Sequence, residues 1–165
     1  VLDNQAKVYQ LLRLWIIVIL GNLVGCLIIS VLFYLSRDVT HAQDGFILIG
    51  KHLVEFDNIS LLISAILAGC LMAEGAWLII SSPPDVSQLF SIYIVTFLIG
   101  IAGFHHSIAG SAEMMTAYLM HDEFTLTESA RFILLALLGN MIGGSLFVGV
   151  LNYAHIRKTQ LIEDE

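Results

Sequence analysis

The chain has 165 residues, of which 58% are hydrophobic and 13% are Asp, Glu, Lys or Arg, whereas soluble domains carry about 25% charged residues. The net charge of −7 argues against nucleic acid binding, which needs basic patches. No phosphate-binding loop, nucleophile motif or Cys/His metal spacing occurs in the sequence, so we predict neither an enzyme nor a resident cofactor or metal.

Four apolar segments follow one another along the chain, and each is long enough to cross a bilayer as a helix, which takes about 20 residues. Because backbone groups need internal partners in lipid, we predict helical spans at about residues 11–36, 58–81, 87–120 and 128–155. Thr125 and Glu128 form a capping box before the fourth span. The sequence therefore predicts one all-α membrane domain over residues 1–165, with residues 37–57 as an external loop. A small excess of basic residues at the chain ends predicts cytoplasmic termini.

Spans one and four share a motif, because LGNLVGCLIISVLFYL at 20–35 resembles LGNMIGGSLFVGVLNY at 138–153. The shared positions are Gly21, Asn22 and Gly25 in span one and Gly139, Asn140 and Gly143 in span four. The two spans cross the membrane in opposite directions, as helices of an inverted-topology repeat do. The alternative is that the glycines form independent helix-packing motifs. A complete inverted repeat would need two further spans before residue 1.

Span three is too long for one straight crossing. Its 34 residues would extend about 50 Å as a helix, whereas the hydrocarbon core is about 30 Å thick. We therefore predict a helix broken around AGFHHSIAG, with Gly100, Gly103 and Gly110 permitting the break. The first half would end near Ile101, and the second would begin with free N–H groups at about 107–111 that favour an anion. A single long, tilted helix is the alternative.

Ionisable and amide side chains inside these spans are the candidate functional residues. We expect one of His105 and His106 to face a pore and the other to be structural. Glu74 and Glu113 are the other intramembrane charges, with either a pairing role or a transport role. Asn22 and Asn140 are expected to join the backbone of a broken segment to a neighbouring helix.

The segments GNLVG at 21–25, GFHHSIAG at 103–110 and GNMIGG at 139–144 resemble the third, fifth and sixth membrane helices of the formate/nitrite transporter family. The resemblance implies an aquaporin-like helical bundle with an inverted repeat, with four spans present of six and the first two helices lacking. It also implies a homopentamer in the bacterial inner membrane. Each protomer would hold a pore for small monovalent anions such as formate, nitrite, acetate, lactate or hydrosulfide.

The resemblance further implies that His106 is the central histidine and Asn140 the buried amide of the sixth helix. Family members commonly have Glu where this chain has His105 and Asn where it has Gly110, and Glu74 resembles an addition, so the substrate is left open. We interpret the chain as part of a proton-linked anion channel that acts through His106. The expected pore residues are His106, His105, Phe104, Ser107, Ile99 and Phe97. A haem-binding or structural subunit of a membrane redox complex is the alternative, and it would need axial histidines on facing helices.

Overall fold

The computed structural model describes residues 7–146 and 149, and this part of the chain is helical. The helices are α1 (Val8–Leu35), α2 (Arg37–Thr40), α3 (Gln43–Val54), α4 (Asn58–Ser81), α5 (Val86–Ile101), α6 (Ser107–Met120) and α7 (Leu126–Gly144). By length and composition α1, α4 and α7 can each cross a membrane, and α5 is a shorter apolar helix. Several helices begin at a residue whose side chain accepts hydrogen bonds from amides of the first turn. Asp57 caps α4 and Asp85 caps α5, while Thr125 and Glu128 form the predicted capping box of α7.

Two closely packed helix pairs, α4 with α7 and α1 with α6, fix the position of α6. Helices α4 and α7 pack along glycines, because a Cβ added at Gly69 would collide with the backbone of Asn140. Helix α6 lies against α1, α3 and α7. The hydroxyl of Ser30 on α1 donates to the carbonyls of Cys26 and Ala112 at 2.7 and 3.0 Å, which joins α1 to α6. Leu61, Met114, Phe132 and Ala136 are fully buried in the core that α4, α6 and α7 share.

The helices can be set beside the predicted spans. Spans one and two correspond to α1 and α4, and span four corresponds to α7, whose predicted end near residue 155 lies outside the described residues. The prediction of a plain loop at 37–57 is wrong, because this segment contains α2 and α3. The physical reason is a run of apolar residues at helical spacing in α3, whose Gly50 and Leu53 are buried.

Span three is broken in the structure. Helix α5 ends at Ile101 and α6 begins at Ser107, so the break comprises residues 102–106, and the alternative of one continuous helix is wrong. Gly103 has a φ of +64°, a left-handed conformation that residues with a Cβ rarely adopt. Gly100 and Gly110 lie inside α5 and α6 rather than in the break, so their predicted role in it is wrong.

Candidate functional site

A cavity of about 680 Å³ lies where α3, α5, α6 and the break meet. The break and α6 contribute its polar wall through His105, His106 and Glu113, and α3 adds His52. The remaining lining is mostly apolar. Its residues are Leu48, Ile49, Leu53, Met72, Thr96, Ile99, Gly100, Gly103, Phe104, Ala109 and Gly110. Small-molecule sites have this general make-up, with an apolar wall and a few convergent polar groups.

His106 is the N-cap residue of α6. Its Nδ1 accepts hydrogen bonds from the amides of Ile108 and Ala109, each at 3.2 Å. Helix starts leave their first N–H groups without intrahelical partners, and an imidazole in this position satisfies two of them. A ring nitrogen that accepts carries no proton, so the neutral ring has its hydrogen on Nε2. His106 therefore presents an N–H donor, and its side chain is half-buried in the cavity wall.

Asn140 on α7 fixes the break from the other side. Its Oδ1 accepts the amide hydrogen of Ser107 at 2.9 Å, and its Nδ2 donates to the carbonyls of Ala65 and His105 at 2.8 and 3.0 Å. One side chain thus joins α7, α4, the break and the start of α6.

The first three amides of α6 are all partnered, because Ser107 bonds to Asn140 while Ile108 and Ala109 bond to His106. The prediction that this helix begins with free N–H groups is therefore wrong. The cause is side-chain capping that the local sequence does not reveal, since histidine is not among the preferred N-cap residues. An anion at this helix end would meet the His106 ring rather than bare backbone.

His105 is buried, with 4% of its surface exposed. Its Nδ1 lies 2.8 Å from the Ser64 hydroxyl on α4, and its Nε2 has no hydrogen-bond partner among the described residues. The rings of Phe56 and Phe132 meet it edge-on, with centroids at 5.3 and 5.8 Å. The ring of His52 stacks against it at 6.1 Å. His105 is therefore held on all these sides, whereas the His106 ring contacts the cavity and the helix end.

The other predicted residues divide between the cavity and the rest of the molecule. Ile99 and Phe104 line the cavity. Phe97 does not, because it lies on an exposed face of α5 and stacks on Tyr93 at 6.0 Å. Ser107 is buried, and its backbone carbonyl accepts a hydrogen bond from the Ser111 hydroxyl within α6. Phe97 and Ser107 therefore do not line this cavity, and their predicted place in the pore stays a prediction.

The two predicted glutamates lie in different places, and Asn22 lies away from the cavity. Glu113 lines the cavity, while Glu74 is half-buried on α4 outside its lining. Neither carboxyl group pairs with a described residue. Asn22 is exposed and donates to the carbonyl of Val18 in its own helix at 2.8 Å. Within the described residues it ties no broken segment.

Sequence reasoning missed His52 and Ser64. His52 lies in the segment predicted as an external loop, although the apolar spacing in residues 46–53 is a signal for an amphipathic helix. Its Nδ1 bonds to Glu55 at 2.6 Å, and its Nε2 lies near the backbone of Gly103. Ser64 is a lone hydroxyl in an apolar span, and no sequence signal pairs it with His105.

The family description "Formate/nitrite transporter" matches residues 1–154 of the chain. The chain belongs to the formate/nitrite transporter family. Inner membrane protein YfdC of Escherichia coli K12 is 30% identical over 93% of this chain and 49% of its own length. Uncharacterized transporter YrhG of Bacillus subtilis 168 is 26% identical over 94% of this chain and 59% of its own length. Formate channel FocA of Escherichia coli K12 is 28% identical over 86% of this chain and 58% of its own length.

Membership in the formate/nitrite transporter family identifies the chain as a distant relative of these proteins and as part of a helical membrane bundle. The family consists of transporters and channels rather than enzymes. The chain spans between about half and three fifths of the lengths of these relatives. No solved structure matches the chain significantly.

Proposed function

We propose that the protein conducts small monovalent anions, of the class of formate, nitrite, acetate or hydrosulfide, through the cavity beside His106. The observation that carries this proposal is the capping geometry of His106. Because Nδ1 accepts two amides of α6, the ring is a fixed donor at Nε2 in a largely apolar cavity. The family assignment and the formate channel among the relatives support the same substrate class. They also favour transport over the haem-anchor alternative.

The physical task is to lower the cost of a bare anion in an apolar passage, where the idealised Born cost is of order 20 kcal/mol. The start of α6 contributes partial positive charge, and the Nε2–H of His106 offers a directed hydrogen bond. Ile99 and Phe104 form apolar wall next to this donor. An anion that crosses together with a proton avoids most of the remaining cost, so we propose that transport is proton-linked at this cavity. His106 would either hold the proton or fix the anion beside a group that does. The cap favours the second role, because imidazolium at His106 cannot accept the two amides.

The test is anion flux in proteoliposomes that contain the full-length protein with His106→Asn or His106→Ala. Asparagine is a preferred N-cap residue, so it keeps a cap for α6 but removes the imidazole donor. We expect formate flux to fall at least tenfold in both variants, with the fold kept better by Asn. An unchanged rate and pH dependence in His106→Asn would remove His106 from the mechanism.

We propose an aquaporin-like bundle of six spans with an inverted repeat for the full-length protein. The packed glycine motif of α7 and the matching, unpacked motif of α1 support it. In α7, a Cβ added at Gly139 or Gly143 would collide with α4, while Gly21 and Gly25 on α1 have nothing within 4 Å. The open α1 face therefore has the form of a helix-packing surface, and Asn22 on it corresponds to Asn140. We expect Asn22→Leu to destabilise the full-length protein, and stability equal to wild type would contradict the repeat.

A homopentamer in the inner membrane with cytoplasmic termini is also proposed. The name of the relative YfdC, an inner membrane protein, supports the compartment, and the family resemblance supports the oligomer. Native mass spectrometry of the detergent-solubilised protein measures the subunit number directly. Accessibility of an added terminal cysteine to an impermeant reagent measures the orientation. A strong Soret band in the purified protein would favour the redox-subunit alternative instead.

A further inference from the structure

Glu113 lies on the same face of α6 as His106, two helical turns further along the helix. Seven residues separate them, which corresponds to about 10 Å along the axis. Ala109 and Gly110, between them, also line the cavity, so this face of α6 forms a continuous wall. Glu113 is half-buried there, and no hydrogen bond or ion pair joins its carboxyl group to another described residue. Within the described part of the chain, the cavity therefore contains an acidic group without a neutralising partner.

We propose that Glu113 is the proton-binding group of this cavity and that binding of an anion beside His106 drives proton uptake by Glu113. This inference rests on the proposed anion transport and assigns the proton to a residue. The carboxylate takes up a proton that the solvent delivers as hydronium when the anion enters, which leaves a water molecule, and it returns the proton to water as hydronium when the anion leaves. His106 then acts as a fixed hydrogen-bond donor rather than as the proton carrier.

The contacts of the two break histidines disfavour them as carriers. A proton on Nδ1 of His106 would break the hydrogen bonds from Ile108 and Ala109 and add positive charge at a helix start. His105 is enclosed by Phe56, Phe132 and the His52 ring, where a charged imidazolium would lose its hydration. Protonation of Glu113 breaks no hydrogen bond among the described residues. It also removes a charge from the cavity instead of adding one.

The basic groups in the last turn of α3, Lys51 and His52, are engaged with other partners. His52, which also lines the cavity, bonds to Glu55 through Nδ1 at 2.6 Å and is half-exposed. Lys51 pairs with Glu123 at 2.6 Å and is not part of the cavity lining. His52 is thus the competing titratable group, and the experiment must separate it from Glu113.

The buried thiol of α1 and the charged groups of α7 are also bonded elsewhere. On α1 the Cys26 thiol donates to a backbone carbonyl of α6 at 3.3 Å. On α7 Glu128 caps its own helix with Thr125, and Arg131 donates to Asn58 and to backbone carbonyls. None of these groups lines the cavity.

Coulomb's law gives the size of the coupling. Two negative charges about 10 Å apart at an effective dielectric of about 20 repel by the equivalent of roughly a tenfold to twentyfold change in affinity. Linkage is reciprocal, so the bound anion raises the proton affinity of Glu113 by the same factor. We therefore expect the apparent KM for formate to rise about tenfold as Glu113 loses its proton.

The experiment measures formate flux against pH in proteoliposomes that contain the full-length protein, with empty liposomes subtracted. We expect a nearly pH-independent KM in Glu113→Gln, and the wild-type pH dependence in the matched control Glu74→Gln, whose carboxyl group lies outside the cavity. A pH dependence that persists in Glu113→Gln, or that disappears in His52→Gln instead, would overturn the proposal.

Infrared difference spectra of the detergent-solubilised protein keep the inference separate from the proposed function. Addition of formate should increase the carbonyl stretch of a protonated carboxylic acid in wild type but not in Glu113→Gln. If wild type shows this change without formate flux, the transport function fails and the Glu113 assignment stands. If wild type conducts formate without the change, the Glu113 assignment fails and the function stands. If neither signal occurs, both are wrong.

Discussion

Replacement of Asn140 by Leu should separate the break from the helices that hold it. The substitution removes three hydrogen bonds, one from the amide of Ser107 and two to the carbonyls of Ala65 and His105. A buried amide left without a partner costs about 1–3 kcal/mol, and interhelical side-chain bonds in membranes average about 0.6 kcal/mol each. We therefore expect the full-length protein to lose about 2–4 kcal/mol of stability.

The assay is unfolding of the detergent-solubilised protein by increasing fractions of sodium dodecyl sulfate, followed by circular dichroism. Ser91→Ala is the matched control, because its hydroxyl bonds only to a carbonyl of its own helix at 3.0 Å. A loss below about 0.5 kcal/mol in Asn140→Leu, the range of ordinary surface substitutions, would refute the reasoning.

Asn140→Asp distinguishes hydrogen bonding from packing at this position, because the two side chains are nearly the same size. Aspartate keeps the acceptor for the amide of Ser107 but directs a second oxygen at two carbonyl groups. We expect it to destabilise the protein at neutral pH and to recover partly in acid, where the protonated carboxyl group donates. Equal stability of Asp and Asn at neutral pH would show that the two donated bonds contribute little.

Three further predictions follow from single contacts. Gly143→Val should reduce stability by about 1–3 kcal/mol in the same unfolding assay, because its Cβ would collide with the carbonyl of Ile66. Gly103→Ala should reduce stability by about 1–2 kcal/mol, since φ is +64° there. It should also lower formate flux, because it changes the shape of the break. The hydroxyl of Ser60, with the amides of the first turn of α4, holds the pKa of Asp57 below its usual 3.8. The stability from this cap is complete above pH 3.8 and is lost as the pH falls through the lowered value, so a thermal-unfolding series into acid should show the loss in wild type and not in Asp57→Asn.

The break could be predicted from the sequence, because its signal is the length of one continuous apolar segment. A 34-residue apolar segment exceeds the bilayer thickness, and the resulting prediction put the end of the first half at Ile101, where α5 ends. The glycine assignment was coarser. Of the three glycines predicted to permit the break, only Gly103 has a left-handed φ. The spacing of the glycines in the sequence does not distinguish it from a glycine that allows close packing, such as Gly110 against the Phe132 ring.

The contacts that hold the break in place could not be predicted from the local sequence, because two of the partners lie far away along the chain. Asn140 lies 33 residues from Ser107 along the chain, and the partner of His105 on α4, Ser64, lies 41 residues away. Tertiary contacts of this kind decide which polar residue meets which backbone group. The sequence therefore identifies these residues as functional candidates, but their partners can be read only from the three-dimensional structure.

His105 and Gly110, the two departures that the family resemblance implies, both lie next to the Phe132 ring. A Cβ at Gly110 would lie 2.6 Å from the Phe132 ring, so an asparagine at this position cannot coexist with Phe132 in its present place. The same ring meets His105 edge-on at 5.8 Å. Phe132 thus occupies the space that a larger residue at 110 would need, and it covers the imidazole that stands where a glutamate is common. Glu113, two helical turns further along α6, is an acidic side chain that lines this cavity. A variant that restores the family residues at 105 and 110 therefore needs a smaller side chain at 132 as well.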